Sequence, residues 1–287
     1  MDSSYPVRVF PKEALPNNAH SDEKLFVLTD IHGCLSAMRR LLSHKTDDAR
    51  LVFLGDAVDR GPDSLGVLEI LQKDQHAVLL MGNHDIMCRY AFFGVPGIDE
   101  WSMQNLRSLW LNDNGGGCTL KEFAAHQGVS EESVSEKKAL AFLTAHNANP
   151  LFESVYARMQ KFWKSGDLCF VHGGLAKGSE DAWLEKTDFA AFSVSYDVEE
   201  HWAWYRPDDH EDGYFDTQKR VVHGEPVYIV CGHTPQHHAR LIHNYGLFLD
   251  TGYTLKTAAL IEGDSIQLMM TPCDEVRRCP EDIWDIF

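Results

Sequence analysis

The chain has 287 residues, of which 44% are hydrophobic and 24% are charged, and this composition is that of a folded globular protein. The formal net charge of -17 argues against sequence-independent binding to nucleic acid, which needs clustered Lys and Arg to neutralise phosphates. The sequence has no run of about 18 or more apolar residues and no signal-peptide pattern, so we expect a cytoplasmic protein with no membrane partner. Its seven cysteines form no CxxC pair, which predicts reduced thiols and no thiolate zinc site.

Short apolar runs, each followed by a cluster of polar and small residues, predict buried strands. The runs cover residues 25–28, 51–54, 77–81, 168–171, 227–230 and 247–249. Between the early runs, the spacing of apolar residues over 35–42 and 65–71 predicts two helices. Strands that alternate with helices indicate an α/β fold, in which ligands bind beyond the carboxyl ends of the strands. The polar clusters fall at these ends, and the sequence therefore predicts one shared site.

The remaining segments indicate the domain organisation. We expect a polar lead-in over residues 1–23 and a single domain over residues 24–287, with a helical insertion at about 90–165. Near the end of the chain, the apolar runs 258–261 and 266–269 flank a Glu-Gly-Asp turn and predict a β-hairpin. The insertion is predicted from helix-like stretches near 119–127, 130–146 and 151–163.

Residues of metal-ligand type follow the predicted strands. Asp30 and His32 follow the first strand, where alternate residues face the same side and can share one cation. Asp56 follows the second strand after a glycine, and a carboxylate at this place can bridge two cations. A mixed set of Asp, Asn and His ligands favours Mn, Fe or Zn over Ca, which prefers oxygen alone. The six candidate ligands are Asp30, His32, Asp56, Asn83, His172 and His233.

Five motifs occur in order along the chain. They are Asp30-Ile31-His32-Gly33, Gly55-Asp56-Ala57-Val58-Asp59-Arg60-Gly61, Gly82-Asn83-His84-Asp85, His172-Gly173-Gly174 and Gly232-His233, with Asp250-Thr251-Gly252 beyond them. This order resembles the phosphoprotein phosphatase family of calcineurin-like metallophosphoesterases, over nearly the whole chain except the lead-in and the tail. The resemblance implies an α/β sandwich of central β-sheets flanked by helices. It also implies two divalent metal ions as cofactors, with Mn2+ expected and Fe or Zn as alternatives.

The resemblance divides the candidate ligands into two sets that share Asp56. The first metal ion would be held by Asp30, His32 and Asp56, and the second by Asp56, Asn83, His172 and His233. A hydroxide that bridges the two ions would attack the phosphorus atom of the substrate.

The same resemblance implies a general acid. His84 would protonate the leaving oxygen, and Asp59 would hold its imidazole and favour the charged form. Arg60 would bind the substrate phosphate through its planar guanidinium, with Asn83 beside it.

A second phosphate-binding arginine is expected at Arg206. The order Trp204-Tyr205-Arg206 resembles the Trp-x-Arg element of bacterial members of the family. A surface position for Arg206 is the alternative, and Arg220 and Arg240 are weaker candidates for the same role.

Two substrate classes follow from the resemblance. The leading hypothesis is hydrolysis of phosphomonoesters, and the intact Asp59 favours it. The expected partner is a protein that carries phosphoserine or phosphothreonine, with phosphotyrosine or a small phosphoester as alternatives. The alternative is symmetrical hydrolysis of dinucleoside tetraphosphates, which the sequences Asn83-His84-Asp85 and Asp250-Thr251-Gly252-Tyr253 favour. A third hypothesis, binding without turnover, is opposed by the presence of every candidate ligand and of His84. The sequence carries no signal for an oligomeric state.

Overall fold

The computed structural model describes residues 5–128, 138, 149–176, 178, 180–187, 201–206, 220–242 and 245–273. Two β-sheets lie at the centre of this part of the chain. Their facing sides share one apolar cluster, which includes Val27 and Val52 from the first sheet and Phe170 and Val230 from the second. Helices pack against the outer sides, so the predicted α/β sandwich of sheets flanked by helices is confirmed.

The first sheet supplies three parallel strands to the future site. Its spatial order is β1 (Arg8–Ala14), β12 (Ser265–Pro272), β11 (Leu255–Glu262), β2 (Leu25–Leu28), β3 (Arg50–Phe53) and β4 (Val78–Leu79). β2, β3 and β4 run parallel, with Leu28 opposite Phe53. Val27 of β2 packs between the sheets whereas Phe26 faces the helices, which explains why this strand is apolar throughout.

The second sheet adds two more parallel strands that end near the first three. Its spatial order is β5 (Phe162–Ser165), β6 (Leu168–Val171), β8 (Glu225–Cys231), β10 (Gly246–Phe248) and β9 (Arg240–Ile242), and β7 (Arg220–Val222) also pairs with β8. β6 runs parallel to β8, with Phe170 opposite Val230. All six predicted strands therefore have a counterpart in the two sheets, although the run 77–81 forms only the short β4.

The described residues form seven α-helices, which are interspersed with the strands along the chain. They are α1 (Leu35–Leu42), α2 (Ser64–Lys73), α3 (Asn83–Phe93), α4 (Glu100–Ser108), α5 (Gly116–His126), α6 (Pro150–Tyr156) and α7 (Glu180–Glu185), with a 3-10 turn at Pro16–Asn18 and a π-helical turn at Leu109–Asp113. α1 and α2 occupy the two predicted places. The predicted hairpin near the end of the chain is confirmed as β11 and β12, which are longer than predicted.

The predicted insertion contains α4, α5 and α6, but its last part is different from the prediction. α6 ends at Tyr156, and residues 162–165 form β5 because they pair with β6, with Trp163 opposite Phe170. Nearly all of the predicted helical stretch 130–146 lies outside the described residues. The division of the chain into a lead-in and one domain stays a prediction. Within the lead-in, β1 pairs with β12, which the sequence did not predict.

Two cysteines correct the prediction of reduced thiols. Cys34 and Cys273 form a disulfide, with their Cα atoms 6.4 Å apart. The pair meets because α1, which follows Cys34, packs on β12, which precedes Cys273. Cys88 and Cys169 are free thiols, Cys118 and Cys231 take no part in this disulfide, and Cys279 lies outside the described residues. None of the helices in the described ranges combines the length and the apolar character that crossing a bilayer requires.

Candidate active site

The six candidate ligands converge at the carboxyl ends of five strands. Their exposed fractions lie between 0% and 6%, so the cluster is buried. β2 precedes Asp30 and His32, β3 precedes Asp56, and β4 precedes Asn83, the first residue of α3. His172 and His233 follow β6 and β8 of the second sheet. The sequence-based placement of the site beyond the strand ends therefore agrees with the fold.

Backbone conformation marks the same region. Asp30, His32, Asp56 and His233 have φ between 49° and 62°, in the left-handed region that non-glycine residues rarely adopt. Outliers of this kind persist only where the surrounding structure fixes them, and they concentrate at functional sites. Hydrogen bonds from Asp30 N to Gly55 O and from His32 N to Asp56 O join the loops after β2 and β3 and hold these residues in place.

The donor atoms form two groups of three that could each hold a metal ion, and the first group contains His84 where the sequence predicted Asp30. His32, Asp56 and His84 offer atoms within 4.8 Å of one another, and so do Asp56, His172 and His233. Asp56 belongs to both groups, as the bridging ligand of a two-metal site must. Asp30 lies beside the first group, with Oδ1 3.9 Å from Nε2 of His32.

Hydrogen bonds set the imidazoles of His32 and His172 for coordination. Nδ1 of His32 donates to Val58 O at 3.0 Å, and Nδ1 of His172 donates to Leu54 O at 2.9 Å. Each ring therefore directs Nε2 into the cluster, and such a carbonyl partner is the usual support of a metal-binding histidine. Nε2 of His172 faces Oδ1 of Asn83 at 3.1 Å and Oδ1 of Asp56 at 3.5 Å, a convergence of acceptors that a cation would satisfy.

Charge in the cluster favours cations as well. Burial and the neighbouring carboxylate of Asp250 raise the pKa of Asp30 to about 7. A divalent cation would offset this repulsion between carboxylates and keep Asp30 ionised. Asp250 itself accepts a hydrogen bond from Gly252 N at 2.8 Å, so its carboxylate closes a turn beside the cluster.

His84 and Asp59 form a buried pair next to the two groups. Nδ1 of His84 donates to Oδ2 of Asp59 at 2.8 Å, and the backbone N of His84 donates to Oδ1 of Asp56 at 3.0 Å. Burial raises the pKa of Asp59, and hydrogen bonds from His84, Thr119 and Trp110 oppose that rise. The arrangement fixes the ring of His84 through Nδ1, so Nε2 is the nitrogen that can transfer a proton.

The guanidinium of Arg60 lies beside the first group of donor atoms. Its Nη1 lies 3.1 Å from Nε2 of His32, and its guanidinium lies over the ring of Tyr253, 4.3 Å from the centroid. Nε of Arg60 is buried and has no hydrogen-bond partner among the described residues. A buried donor without a partner next to a cation site is a place where an anionic ligand fits.

The three candidates for a second phosphate-binding arginine have different surroundings in the structure. Arg206 is half-buried, and its charge, after burial itself, lowers the pKa of His233, which places Arg206 near the second group. Arg220 is buried, donates from Nε to Leu175 O at 2.7 Å and lies over Tyr245, so it is a core residue. The side chain of Arg240 lies outside the described residues.

Sequence reasoning missed several residues that surround the site. The carboxylate of Asp85 accepts hydrogen bonds from the backbone N of Asp56, Ala57 and Gly82 and so ties α3 to the loop after β3. The buried Lys256 donates to Asp30 O at 2.6 Å and to Gly252 O at 3.0 Å. A lysine that lies just before the apolar run of β11 was the available signal for Lys256.

Comparison with known proteins gives the family. The family model described as calcineurin-like phosphoesterase matches residues 23–237, which include all six candidate ligands. The family predicted from the order of the motifs is therefore confirmed.

Known proteins of similar sequence include two tetraphosphatases and one protein phosphatase. The asymmetrical bis(5'-nucleosyl)-tetraphosphatase PrpE of Oceanobacillus iheyensis is 25% identical over 256 residues, covering 80% of this chain and 84% of that protein. Serine/threonine-protein phosphatase 1 of Salmonella typhimurium is 37% identical over 110 residues, covering 37% of this chain and 45% of that protein. The symmetrical bis(5'-nucleosyl)-tetraphosphatase of Bordetella pertussis is 36% identical over 76 residues, covering 25% of this chain and 27% of that protein. The last two matches span less than half of those relatives.

The family model matches most of the chain. The two groups of buried Asp and His donors have the residue types that a metal-dependent enzyme of this family needs. The chain belongs to the calcineurin-like phosphoesterase family and is a metal-dependent hydrolase.

Proposed function

We propose that the protein hydrolyses phosphomonoesters, with phosphoserine and phosphothreonine in proteins as its substrates. The observation that supports this choice is the hydrogen bond of 2.8 Å between Nδ1 of His84 and Oδ2 of Asp59. An alkoxide such as that of serine is a poor leaving group, and its departure needs a proton from a fixed acid. A nucleoside diphosphate leaves as a stabilised anion and has less need of one.

Each residue has a defined task in this proposal. The two cations, Mn2+ in our expectation, are held by Asp30, His32, Asp56, Asn83, His172 and His233. When bound, they supply a water of lowered pKa and neutralise charge on the phosphate. Arg60 and Asn83 bind the phosphate oxygens, and Arg206 adds a second positive charge near His233.

Proton transfer is the task of the buried pair. His84 holds a proton on Nε2 and gives it to the leaving oxygen. Asp59 holds the ring through Nδ1 and stabilises its charged form. Because both side chains are buried, the pair keeps one orientation through the reaction.

Hydrolysis of bis(5'-nucleosyl) tetraphosphates is the second candidate. The observation in its favour is the similarity to the Oceanobacillus iheyensis protein of that name over 80% of this chain. The half-buried aromatic ring of Tyr253 beside Arg60 could contact a nucleobase.

A substrate panel separates the two candidates. Purified protein loaded with Mn2+ is offered a phosphoserine peptide, 4-nitrophenyl phosphate and diadenosine tetraphosphate. We expect the highest kcat/KM with the peptide. A kcat/KM for the dinucleotide far above both other values would replace the first candidate with the second.

A further inference from the structure

The Asp59 carboxylate is held by side chains from residues 110–119, a segment that lies outside the five ordered motifs. We propose that Trp110 and Thr119, at the two ends of the segment 110–119, are positioning residues for proton transfer. They fix Asp59, and Asp59 fixes the imidazole of His84. This inference rests on the proposed role of His84 as the general acid. We call residues 110–119 the shelf segment.

Hydrogen bonds to the carboxylate are the first observation. Nε1 of Trp110 donates to Oδ2 of Asp59 at 2.9 Å, on the same oxygen that accepts from His84. Oγ1 of Thr119 donates to Oδ1 of Asp59 at 2.8 Å. Asp59, Trp110 and Thr119 are each 0% exposed, so water does not compete for these bonds. Both carboxylate oxygens are therefore fixed, and with them the plane in which Asp59 meets the imidazole.

The backbone beside Asp59 is the second observation. Asp59 and Arg60 have φ of 74° and 66°, a left-handed conformation that non-glycine residues rarely adopt because it brings Cβ too close to the backbone. Asp59 N donates to Oγ1 of Thr119 at 2.8 Å, and Arg60 N donates to Gly115 O at 3.1 Å. The shelf segment thus holds the strained backbone as well as the carboxylate, and it also holds Arg60.

Close approach inside the shelf segment is the third observation. A Cβ atom added to Gly116 would lie 2.3 Å from Cε2 of Trp110, and one added to Gly115 would lie 2.6 Å from Cγ of Arg60. Gly115 also has φ of 75°. Trp110 lies in the π-helical turn Leu109–Asp113, a rare conformation that is frequent at functional sites. The absence of side chains at Gly115 and Gly116 therefore leaves room for the indole of Trp110 and for Arg60. Together with the π-helical turn, it allows the shelf segment to approach Asp59 closely.

A difference between leaving groups follows from this arrangement. An alkoxide needs the proton of a correctly oriented acid, whereas 4-nitrophenolate leaves without one. Loosening Asp59 should therefore slow the hydrolysis of a phosphoserine peptide more than that of 4-nitrophenyl phosphate. Damage to the fold or to the metal site would instead slow both reactions to the same degree.

The test compares Trp110→Phe, which removes the N–H donor, and Thr119→Val, which removes the hydroxyl, with the wild type. Full-length protein loaded with Mn2+ is used throughout. We expect kcat for the phosphoserine peptide to fall by about 10-fold or more in each variant, with less than about a 3-fold loss for 4-nitrophenyl phosphate. KM and metal content should stay unchanged. Thr119→Ser, which restores a hydroxyl, should recover most of the lost rate.

Matched controls separate positioning from stability. Trp101→Phe replaces an indole that is 72% exposed on α4. Thr271→Val removes an equally buried hydroxyl that accepts from Nε of Arg40 at 3.0 Å, away from Asp59. Both should keep the wild-type ratio of the two rates. If Trp110→Phe does not fold, the pair Thr119→Val and Thr119→Ser still decides the question.

His84→Asn makes the two possible failures distinguishable. If it slows the peptide reaction selectively while both shelf variants match the wild type or lose both rates equally, the inference is overturned and the proposed function stands. If His84→Asn leaves the peptide reaction unchanged, the proposed acid is wrong and the inference falls with it.

Discussion

Two parts of the molecule meet at Asp59, and they bring different kinds of group. The strand ends bring carboxylates and imidazoles, such as those of Asp56 and His172, from two sheets that pack on each other. The shelf segment brings neutral donors, the indole of Trp110 and the hydroxyl of Thr119, from helices outside the sheets. Substitutions in the two regions should therefore have different effects. Those at the strand ends should slow hydrolysis of every substrate, and those in the shelf segment should slow only substrates with poor leaving groups.

The largest effect is expected at the strand ends. Asp56→Asn removes the carboxylate that both donor groups share, so it should reduce bound metal and lower kcat for every phosphoester by on the order of 1000-fold or more. Metal content by plasma mass spectrometry and rates on both test esters check this. Asp48→Asn, at an exposed aspartate that pairs with Lys24, is the matched control. Normal metal content together with normal rates in Asp56→Asn would refute the assignment of the bridging ligand.

His84→Asn lies at the junction of the two regions. It should leave metal content intact and lower kcat for a phosphoserine peptide by about 100-fold or more, the scale expected for a general acid. The loss with 4-nitrophenyl phosphate should be smaller, because that leaving group needs no proton. Equal losses with both esters would show that His84 acts on something other than the leaving oxygen.

A smaller effect on metal binding is expected from Lys256, which supports the backbone of Asp30. Lys256→Met removes the donor that joins Asp30 O to Gly252 O, and it should weaken metal affinity by about 10-fold, as loss of a supporting contact does. Metal titration of the apoprotein measures the change. Lys12→Met, at an exposed lysine that pairs with Glu262, provides the control. Unchanged affinity would make Lys256 a residue of the core alone.

The smallest effect is expected inside the helices that carry the shelf segment. Glu122 of α5 accepts from Ser64 N and Leu65 N, and burial, with a minor contribution from Asp63, raises its pKa from 4.5 to about 7. Because the folded state binds this proton more tightly, stability from Glu122 is complete below pH 4.5 and is lost as pH rises through 7.

Glu122→Gln should therefore abolish that part of the pH dependence. The difference in free energy of unfolding between wild type and variant should change by about 1 kcal/mol from pH 5 to pH 8, a figure reduced for partial exposure. Urea titrations at the two pH values measure it. The ratio of the two ester rates should not change, since Glu122 caps α2 and does not contact Asp59. A changed ratio would mean that the whole of α5 acts on the acid.

The strands and the polar residues that follow them could be predicted from the sequence, because both are specified by residues close together in the chain. An apolar run followed by Asp-x-His or Gly-Asp specifies both the strand and the position of the side chain, and parallel strands bring such positions together. The order of the motifs then indicated the family that the match over residues 23–237 confirms.

The missed features depend on contacts between distant parts of the chain. β1 is an exposed edge strand that contains Pro11 and a register shift between Val9 and Lys12, so it shows no alternation of apolar residues. The Cys34–Cys273 disulfide joins residues 239 positions apart. Trp110 and Thr119 follow no strand and belong to no recognised ligand type, and only the fold shows that both reach Asp59.

The ratio of kcat for a phosphoserine peptide to kcat for 4-nitrophenyl phosphate tests the account most directly. It is measured for the wild type, Asp56→Asn and Trp110→Phe under the same Mn2+ loading. We expect the wild-type ratio in Asp56→Asn, at a much lower absolute rate, and a ratio lowered by several-fold in Trp110→Phe. An unchanged ratio in Trp110→Phe, alongside a lowered one in His84→Asn, would contradict it.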